Sequence, residues 1–389
     1  MSGERTPQVV RLLTGIGLAD PGQWNACAGA DNPFVQHAFL LALEESGSAI
    51  AATGWQPVHL VVEDADGGLL AAAPMYRKSH SRGEYVFDHA WAEAYERAGG
   101  RYFPKLQVAV PFSPVPGPRL LVRGDLTADE RTATLAALIG GMEQAAGKLG
   151  CSSIHVTFPD EAGYEELAKA GWLRRTGIQF HWQNNGYGSF DDFLGALNSR
   201  KRKAVRKERR EVAESSVELF RLTGSDIRPE HWDAFYRFYL DTSDRKWGSP
   251  YLTREFLHQL GRTMADQVLL VMCRDGGEWV AGALNLIGSD TLYGRNWGSD
   301  GSYRFLHFEA CYYQAIEFAI ERGLKRVEAG AQGEHKIQRG YLPVRTFSAH
   351  WVADAGFHQA LDDYLKRERR AIEHHLKELG QESPYRQVE

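Results

Sequence analysis

Apolar residues recur along the chain in two matching blocks. Residues 58–62 read Val-His-Leu-Val-Val and precede a polar turn and a second apolar run at residues 67–73. The same order returns at residues 268–272 and 277–283, with each position 210 residues further along. Short runs rich in β-branched residues on both sides of a polar turn predict a β-hairpin. The sequence therefore predicts one hairpin in each half of the chain.

A second repeated pattern follows each hairpin. Residues 135–150 read as a helix closed by glycine before a β-branched run at residues 153–158, and residues 308–323 do the same before residues 325–329. Glycine directly after a helix supplies the left-handed cap at which many helices end. Each half thus reads as hairpin, further strand, helix and strand. This order predicts an α/β fold of two tandem mixed-sheet units, each with a crossover helix.

Three other segments complete the predicted organisation. Residues 88–119 are rich in aromatic residues and proline, which favours a long loop over the sheet. Residues 189–264 are mainly helical in pattern and separate the two units. Residues 357–379 carry apolar side chains on one face, as a packed terminal helix does. We therefore place an N-terminal domain at 1–187, a C-terminal domain with a helical insertion at 188–355, and a C-terminal helix at 356–389.

Composition narrows the class of protein. At 389 residues the chain exceeds what one hydrophobic core usually supports, which favours two domains. Apolar residues make up 43% and charged residues 24%, as in an ordinary soluble globular protein. The first residues lack a basic start followed by an apolar run, and no segment reaches the roughly 18 apolar residues that a membrane helix needs. We therefore expect a cytoplasmic protein without membrane insertion.

The cysteine and histidine spacing argues against a metal centre. The four cysteines, Cys27, Cys151, Cys273 and Cys311, are far apart and form no Cys-x-x-Cys pair, which disfavours a structural zinc site and a disulfide framework. Histidine and acidic residues also lack the spacing that places two ligands on one helix face beside a third. The sequence predicts no metal site.

The segment 327–341 combines the densest set of reactive side chains with a strand end. A β-branched run breaks into glycine and small residues and then presents Glu334, His335, Lys336 and Arg339 within six positions. This pattern places an acid, a base and two cations directly after the end of one predicted strand.

The most basic segment of the chain lies between the two units. Residues 200–210 hold eight basic residues and one acidic residue, whereas the whole chain has a net charge of −5. A charge run is usually a solvated helix face, but this one has little internal neutralisation. A single basic patch on an acidic body favours local contact with phosphate groups over general nucleic-acid binding. We therefore predict phosphate binding by Arg202, Lys203, Arg206 and Lys207.

Several of these features match one protein family. The doubled α/β unit and the blocks at residues 85–91, 200–210, 293–298 and 330–341 resemble the FemAB-like branch of the GNAT acyltransferase superfamily, over nearly the whole chain. Its members are predicted N-acyltransferases, often described as peptidoglycan biosynthesis or recognition proteins. The last block resembles the Phe-Lys-Arg-Gly-Phe block of the Fem aminoacyltransferases, whose fold is two tandem GNAT units. This chain has Gln338 where that block has lysine, so the role of the lysine is not carried over and Lys336 is only a neighbour.

The resemblance implies transfer of an acyl or aminoacyl group to an amine. Such a transfer needs a free amine, stabilisation of a tetrahedral oxyanion and a proton for the leaving group. No serine or cysteine stands in a nucleophile motif, so a direct transfer fits this sequence. As a hypothesis, Glu334 or His335 accepts the proton of the amine, while Lys336 or Arg339 holds developing negative charge. The alternative is that Glu334 and Lys336 belong to a solvated turn and that Arg339 forms a structural ion pair.

The resemblance also indicates where substrates bind. In the first half, Asp88, His89, Trp91 and Lys105 are candidates for the wall of an acceptor groove. In the second half, Arg295, Asn296 and Trp297 follow a predicted strand ending at Tyr293, where GNAT sheets open for the donor. Each of these residues could instead be structural.

The donor stays open at this point. Acyl-CoA users of the superfamily carry a glycine-rich turn that binds pyrophosphate, and residues 183–188 match it formally. Asp191 and Asp192 follow directly and would repel a pyrophosphate, so we interpret the match as a linker turn. We expect no tightly bound cofactor, and aminoacyl-tRNA or acyl-CoA as the donor co-substrate. Two alternatives remain: an acyl-CoA-dependent N-acetyltransferase, and a non-catalytic protein that recognises a phosphorylated cell-wall precursor or RNA. The sequence predicts no oligomeric state.

Overall fold

Strands and helices alternate along the chain in a computed structural model, which describes residues 8–246, 250–330 and 333–386. The strands are β1 (Val9–Leu13), β2 (Trp55–Pro57), β3 (His59–Glu63), β4 (Leu69–Ala73), β5 (Met75–Lys78), β6 (Lys105–Val108), β7 (Leu121–Val122), β8 (Ser153–Thr157), β9 (Leu173–Gln183), β10 (Glu218–Leu222), β11 (Val268–Asp275), β12 (Glu278–Ile287), β13 (Thr291–Ser299), β14 (Arg326–Glu328) and β15 (Leu342–Val352).

The α-helices are α1 (Pro21–Ala28), α2 (His37–Glu45), α3 (His89–Arg97), α4 (Ala128–Lys148), α5 (Glu161–Lys169), α6 (Phe190–Ala196), α7 (Ser199–Ala213), α8 (Pro229–Lys246), α9 (Arg254–Thr263), α10 (Leu306–Phe308), α11 (Gln314–Glu321) and α12 (Ala355–Gln381). A π-helical turn, Glu309–Tyr313, joins α10 to α11, and a 3-10 helix, Glu334–Arg339, follows β14. No helix in the described part of the chain combines the length and the apolarity that crossing a bilayer requires.

Two compact units divide the chain. Unit 1 comprises Met1–Gly177 and Thr346–Ile372, and unit 2 comprises Ile178–Arg345 and Glu373–Glu389. The chain therefore returns to unit 1 after Arg345, a feature that the predicted boundaries at 187 and 355 did not contain. Those boundaries stay a prediction about domains.

Unit 1 contains the first predicted hairpin, as the antiparallel pair β3 and β4 in a sheet of order β1-β3-β4-β7. Its other strands run in the order β15-β8-β6-β5-β2, in which β6 and β8 are parallel. The helix α4 connects the two sheets and begins at a capping box, in which Thr127 and Glu130 satisfy each other's backbone N–H groups. Its apolar face packs with both sheets in one core that includes Leu138, Met142 and Ile154.

The predicted long loop at residues 88–119 is wrong in part. This segment holds the helix α3 and the strand β6, which lies inside the sheet between β5 and β8. The prolines flank the strand, at Pro104 and Pro111, so they end the regular structure without interrupting it.

Unit 2 contains the second predicted hairpin, as the antiparallel pair β11 and β12. Its strands run in the order β10-β11-β12-β13-β14-β9, and β13 and β14 are the parallel pair. The predicted crossover helix connects these two strands as α10, the π-helical turn and α11. Ser189 caps α6, as its sequence context indicates, by accepting a hydrogen bond from the backbone N–H of Asp192.

Candidate active site

In unit 2 the parallel strands β13 and β14 stop pairing at a defined point. Their last pair is Tyr293 with Glu328. Beyond it, β13 continues beside β12 as far as Ser299, whereas Ala329 and Gly330 exchange 3.2 Å backbone hydrogen bonds with Phe180 of β9. The carboxyl ends of two parallel strands that take different neighbours leave room for a ligand between them. The candidate catalytic residues follow β14 at this point.

Lys336 is buried at the end of β14. Its Nζ donates to the carbonyl oxygens of Ala329, at 2.5 Å, and of Gly330, at 3.4 Å. Burial lowers the pKa of Lys336 to about 8. The alternative of a solvated turn is therefore wrong for Lys336. Its ammonium group lies at the end of β14, and its lowered pKa allows it to lose a proton near pH 8.

The side chain of His335 is exposed. Its Nε2 lies 3.1 Å from the hydroxyl oxygen of Tyr312, which the π-helical turn presents. Burial of part of the ring, together with the cations Arg339 and Lys336, lowers the pKa of His335 below its ordinary value. The imidazole is therefore neutral at neutral pH and can accept a proton.

Arg339 is held in an ion pair. Its guanidinium donates to the carboxylate of Glu208 on α7, at 2.7 Å, and lies 3.4 Å from the centre of the Phe308 ring. A third hydrogen bond, of 2.9 Å, goes to the carbonyl oxygen of His335. This arrangement agrees with the alternative of a structural ion pair, and the contribution of Arg339 to catalysis stays a prediction. The side chain of Glu334 lies outside the described residues.

A left-handed residue closes the 3-10 helix that carries these side chains. Gly340 has a φ of 92°, and a Cβ atom there would lie 2.8 Å from the ring of Phe193. Glycine is therefore needed on both conformational and steric grounds. This turn sends the chain into β15 and keeps Lys336 and Arg339 directed inward.

Two buried residues near the strand end escaped the sequence analysis. His181 of β9 and Glu328 of β14 are cross-strand partners, with His181 Nδ1 3.8 Å from Glu328 Oε1. Burial, with the nearby cations Arg326 and Lys336, lowers the pKa of His181 to about 3. The sequence did contain a signal for this strand. Polar and aromatic residues alternate at 179–182, which predicts a strand with one polar face, and such a face can form the wall of a binding site.

Aromatic rings connect the predicted donor residues to His335. Trp297 packs against His307 at a centroid distance of 5.4 Å, and His307 lies 6.4 Å from His335. Phe308 and Tyr312 stand beside the same histidine, at 5.7 and 6.0 Å. The structure thus brings Trp297 and the candidate base together through one aromatic cluster.

The prediction that β13 ends before Arg295 is wrong. Arg295, Asn296 and Trp297 lie within β13, because the strand keeps pairing with β12. The register shifts there, so that Arg295 is the extra residue of a β-bulge opposite Leu284 and Asn285. A groove of about 350 Å³ adjoins this strand, lined by Trp297, Ser299, Gly301, Ser302, Tyr303, Arg304 and His307.

The predicted acceptor residues lie in unit 1, and three of the four are buried. Lys105 is 0% exposed and its Nζ donates to Asp88 Oδ2 at 2.5 Å. Trp91 packs edge-on against His350, at 4.9 Å. His89 begins α3 and is exposed. These positions do not form an open groove in this structure, and acceptor binding by them stays a prediction.

The basic helix α7 is more neutralised than its sequence indicates. Acidic groups of other elements pair with it: Asp191 with Arg206 at 3.2 Å, and Glu309 and Glu317 with Arg209 at 3.0 and 2.9 Å. Lys203, Arg206 and Lys207 are exposed, and Arg202 is half-buried. Phosphate binding by these four residues stays a prediction, centred on exposed cations beside a groove of about 630 Å³ that Arg206, Arg209 and Arg210 help to line.

Metal-binding groups do not cluster in the ranges that the structure describes. No set of three or more histidine, cysteine, aspartate or glutamate side chains there could hold an ion.

Comparisons with known proteins place this geometry in a wider group. The family model FemAB-like, described as peptidoglycan biosynthesis/recognition, matches residues 16–387. No curated protein matches the sequence. Among solved structures, FemX superposes with a TM-score of 0.56 at 11% identity, covering 88% of this chain and 98% of FemX.

Two further solved structures superpose similarly. The C-terminal domain of a putative lysylphosphatidylglycerol synthetase from Agrobacterium fabrum has a TM-score of 0.54 at 10% identity, covering 89% of this chain and 95% of that domain. L-PGS from Bacillus licheniformis has a TM-score of 0.51 at 10% identity, covering 87% and 98%. The predicted α/β fold of two tandem GNAT-like units is confirmed.

Proposed function

This chain belongs to the FemAB-like family, and on that premise we propose that it is an N-acyltransferase which moves an acyl or aminoacyl group directly to an amine acceptor. The observation that carries the proposal is the end of β14, where His335 contacts Tyr312 and the buried Lys336 lies beside the point at which β13 and β14 stop pairing. The family description favours an amine of a peptidoglycan precursor as the acceptor.

His335 is the proton acceptor in this proposal. An amine attacks a carbonyl only as the free base, and the nitrogen that has attacked carries one proton more than the amide keeps, so a neutral imidazole at the surface of the site can take that proton. The hydroxyl of Tyr312 contacts Nε2 and orients the ring. The protonated imidazole then supplies a proton to the departing group.

Lys336 stabilises negative charge in this proposal. As the amine adds to the carbonyl carbon, the carbonyl oxygen becomes an oxyanion, and a nearby ammonium lowers the energy of that intermediate. The ammonium group of Lys336 donates to the carbonyl oxygens of Ala329 and Gly330. In this proposal one of its N–H groups turns toward the oxyanion of the substrate. Collapse of the adduct forms the amide and expels the thiol or the ribose hydroxyl of the donor.

Cysteine chemistry is disfavoured by burial. Cys27 and Cys273 are buried, and burial raises the pKa of their thiols to about 11 and about 12. A thiol needs a lowered pKa to act as a nucleophile near neutral pH. These environments disfavour Cys27 and Cys273 as nucleophiles; Cys311, on the π-helical turn, is half-buried.

Two donors fit the surroundings of β13. An acyl-CoA and the 3′ end of an aminoacyl-tRNA both carry an adenine ring and phosphates, which the aromatic and cationic side chains Trp297 and Arg304 could bind by stacking and charge. The basic helix α7 supports the larger donor, aminoacyl-tRNA. Lys203 and Lys207 face solvent and do not line the groove beside α7, so they are placed to contact phosphates of a ligand that extends beyond that groove.

A donor screen tests the proposal. Thermal unfolding is measured with acetyl-CoA and with aminoacyl-tRNA, and each donor that raises the melting temperature is then incubated with a panel of amines. Amide formation with either donor supports the proposal and identifies the donor. Binding without turnover on any amine contradicts it and favours a non-catalytic recognition protein.

A further inference from the structure

One face of a sheet in unit 1 is polar and buried. The side chains of Tyr76 and Lys78 on β5, Lys105 and Gln107 on β6, His155 on β8 and His350 on β15 are all at most 2% exposed. Cross-strand registers place them side by side, with Lys78 opposite Lys105, Tyr76 opposite Gln107, and His155 opposite both Gln107 and His350. Burying so many polar groups costs free energy unless each finds a partner. His155 and His350 have partners at Ser153 and Ser348, whereas Tyr76 Oη and Gln107 Oε1 have none in the described ranges.

Two lysines form the charged end of this face. The Nζ of Lys105 donates to Ser81, at 2.9 Å, and to the carboxylates of Glu84 and Asp88, at 2.7 and 2.5 Å. The Nζ of Lys78 donates to the carbonyl oxygen of Arg82 and lies 3.5 Å from the centre of the Trp55 ring. Its distance to Glu84 Oε1 is 3.8 Å, which is too long for a hydrogen bond.

Both carboxylates come from the connection between β5 and α3. This segment, residues 79–88, runs over the polar face and carries Tyr85 and Phe87 at its surface, 37% and 60% exposed. The connection thus puts two acidic side chains inside the unit and two aromatic ones outside. Because the side chains of Tyr85 and Phe87 are exposed, they would lose few packing contacts if the segment moved away from the sheet.

The fit between these carboxylates and the polar face is incomplete. Among the buried side-chain atoms without a hydrogen-bond partner in the described ranges, five belong to this face and its surroundings: Trp55 Nε1, Tyr76 Oη, Glu84 Oε1, Asp88 Oδ1 and Gln107 Oε1. Buried polar atoms are rarely left unpaired in folded proteins, and a cluster of them calls for an explanation. Burial raises the pKa of Glu84 to about 7 and lowers that of Lys78 to about 7, so the pair of Lys78 and Glu84 is poorly stabilised as ions. Lys105, by contrast, holds the pKa of Asp88 well below its ordinary value.

We propose that Lys78 and Lys105 form a binding site for a phosphate-like oxyanion, and that Glu84 and Asp88 are internal occupants which leave when the ligand enters. A tetrahedral oxyanion has three or four acceptor oxygens, so one group reaches both ammonium groups, which a single planar carboxylate here does not. Its remaining oxygens accept hydrogen bonds from Tyr76 Oη and Trp55 Nε1. The site does not depend on acyl transfer and stands or falls separately from it.

Because the ligand and the carboxylates compete for the same lysines, the proposal predicts whether each variant binds the ligand more tightly or more weakly. Inorganic pyrophosphate is titrated by calorimetry into the wild-type chain, Glu84→Gln and Glu84→Gln/Lys105→Met. Removing the negative charge of Glu84 should tighten pyrophosphate binding by about tenfold, the effect of one displaced internal competitor. The double variant should lose this gain, because one of the two cations is gone.

A matched control removes a carboxylate elsewhere in unit 1. Glu63 on β3 is buried and pairs with Arg11 on β1, in the other sheet of unit 1, so Glu63→Gln should leave the affinity at the wild-type value. An equal gain in Glu63→Gln, or no gain in Glu84→Gln, overturns the proposal.

Hydrogen exchange on the wild-type chain provides a second test that needs no variant. Pyrophosphate should increase the exchange of amides in residues 79–88, because their segment moves when the carboxylates leave. Unchanged or slower exchange there at saturating pyrophosphate also contradicts the proposal, since it places the ligand elsewhere or leaves the segment in position.

Discussion

Lys336 is the residue whose environment says most about the chemistry of the strand end. Two backbone carbonyl oxygens hold its ammonium group, and burial brings its pKa to about 8. At neutral pH the side chain is therefore mostly charged but close to its midpoint. A cation in this state can act on an oxyanion below pH 8 and loses that capacity above it.

This environment predicts a pH dependence with a defined sign. Because the charged form stabilises the oxyanion, kcat/KM should fall as the pH rises through about 8. In Lys336→Arg the cation persists to much higher pH, so the fall at pH 8 should disappear even if the rate is lower. Rates measured from pH 6 to 10 provide the check. A rise above pH 8 in the wild-type chain would instead indicate that the neutral amine is the active form.

The pair of Arg339 and Glu208 predicts a loss of stability. The side chains are 9% and 15% exposed, and Glu208 also accepts a hydrogen bond from Tyr313. Replacing Glu208 by alanine leaves a nearly buried guanidinium without its carboxylate, which should cost about 3–5 kcal/mol in the free energy of unfolding. Urea denaturation measures this change.

Glu211, three residues further along α7, serves as the control for that variant. It pairs with Lys207 and Arg304, whose side chains are mostly exposed, so Glu211→Ala should cost about 1 kcal/mol or less. Equal losses in the two variants would mean that the buried ion pair of Arg339 and Glu208 contributes no more to the free energy of unfolding than an exposed pair does.

At the scale of elements, α7 has two different sides. Arg209 and Glu208 turn inward to ion pairs, whereas Lys203, Arg206 and Lys207 face solvent. Counting the charge of residues 200–210 alone overestimates the positive potential, since acidic groups from α6, the π-helical turn and α11 offset it.

The exposed side of α7 predicts salt-dependent binding of tRNA. Neutralising Lys203, Arg206 and Lys207 together should weaken binding and reduce the slope of log affinity against log salt by about 2–3, roughly one unit for each lost phosphate contact. Changing the exposed Arg228, Arg254 and Arg262 removes the same charge elsewhere in unit 2 and should alter the slope much less. Equal effects of the two triple variants would argue for diffuse attraction without a site on α7.

Local patterns predicted the hairpins, the crossover helix and the α6 cap, because each depends on neighbouring residues. The strand β6 escaped prediction because its short run lies among prolines and aromatics and owes its place to β5 and β8. The partners of Arg339 and Arg209 were also missed, since Glu208 and Glu309 lie about 100 or more positions away. Long-range contacts of this kind leave no periodic signal in one sequence.

At the scale of the whole molecule, both units contain a hairpin and a parallel strand pair, but they differ in sheet order and in their polar groups. Each has a parallel strand pair, β6 with β8 and β13 with β14. The polar groups of unit 1 are buried beneath a connecting segment, whereas those of unit 2 include the exposed ring of His335. This difference favours unit 2 as the place of chemistry and unit 1 as a place of recognition.

The rate of amide formation in three single variants tests the central claim most directly. With the donor and amine found in the screen, His335→Ala and Lys336→Met should each lower kcat/KM by on the order of 10², because each removes a group that acts only in the transition state. Gln338→Ala, an exposed position of the same 3-10 helix, should keep the wild-type value. Wild-type rates in both His335→Ala and Lys336→Met would contradict the assignment of the active site to the end of β14.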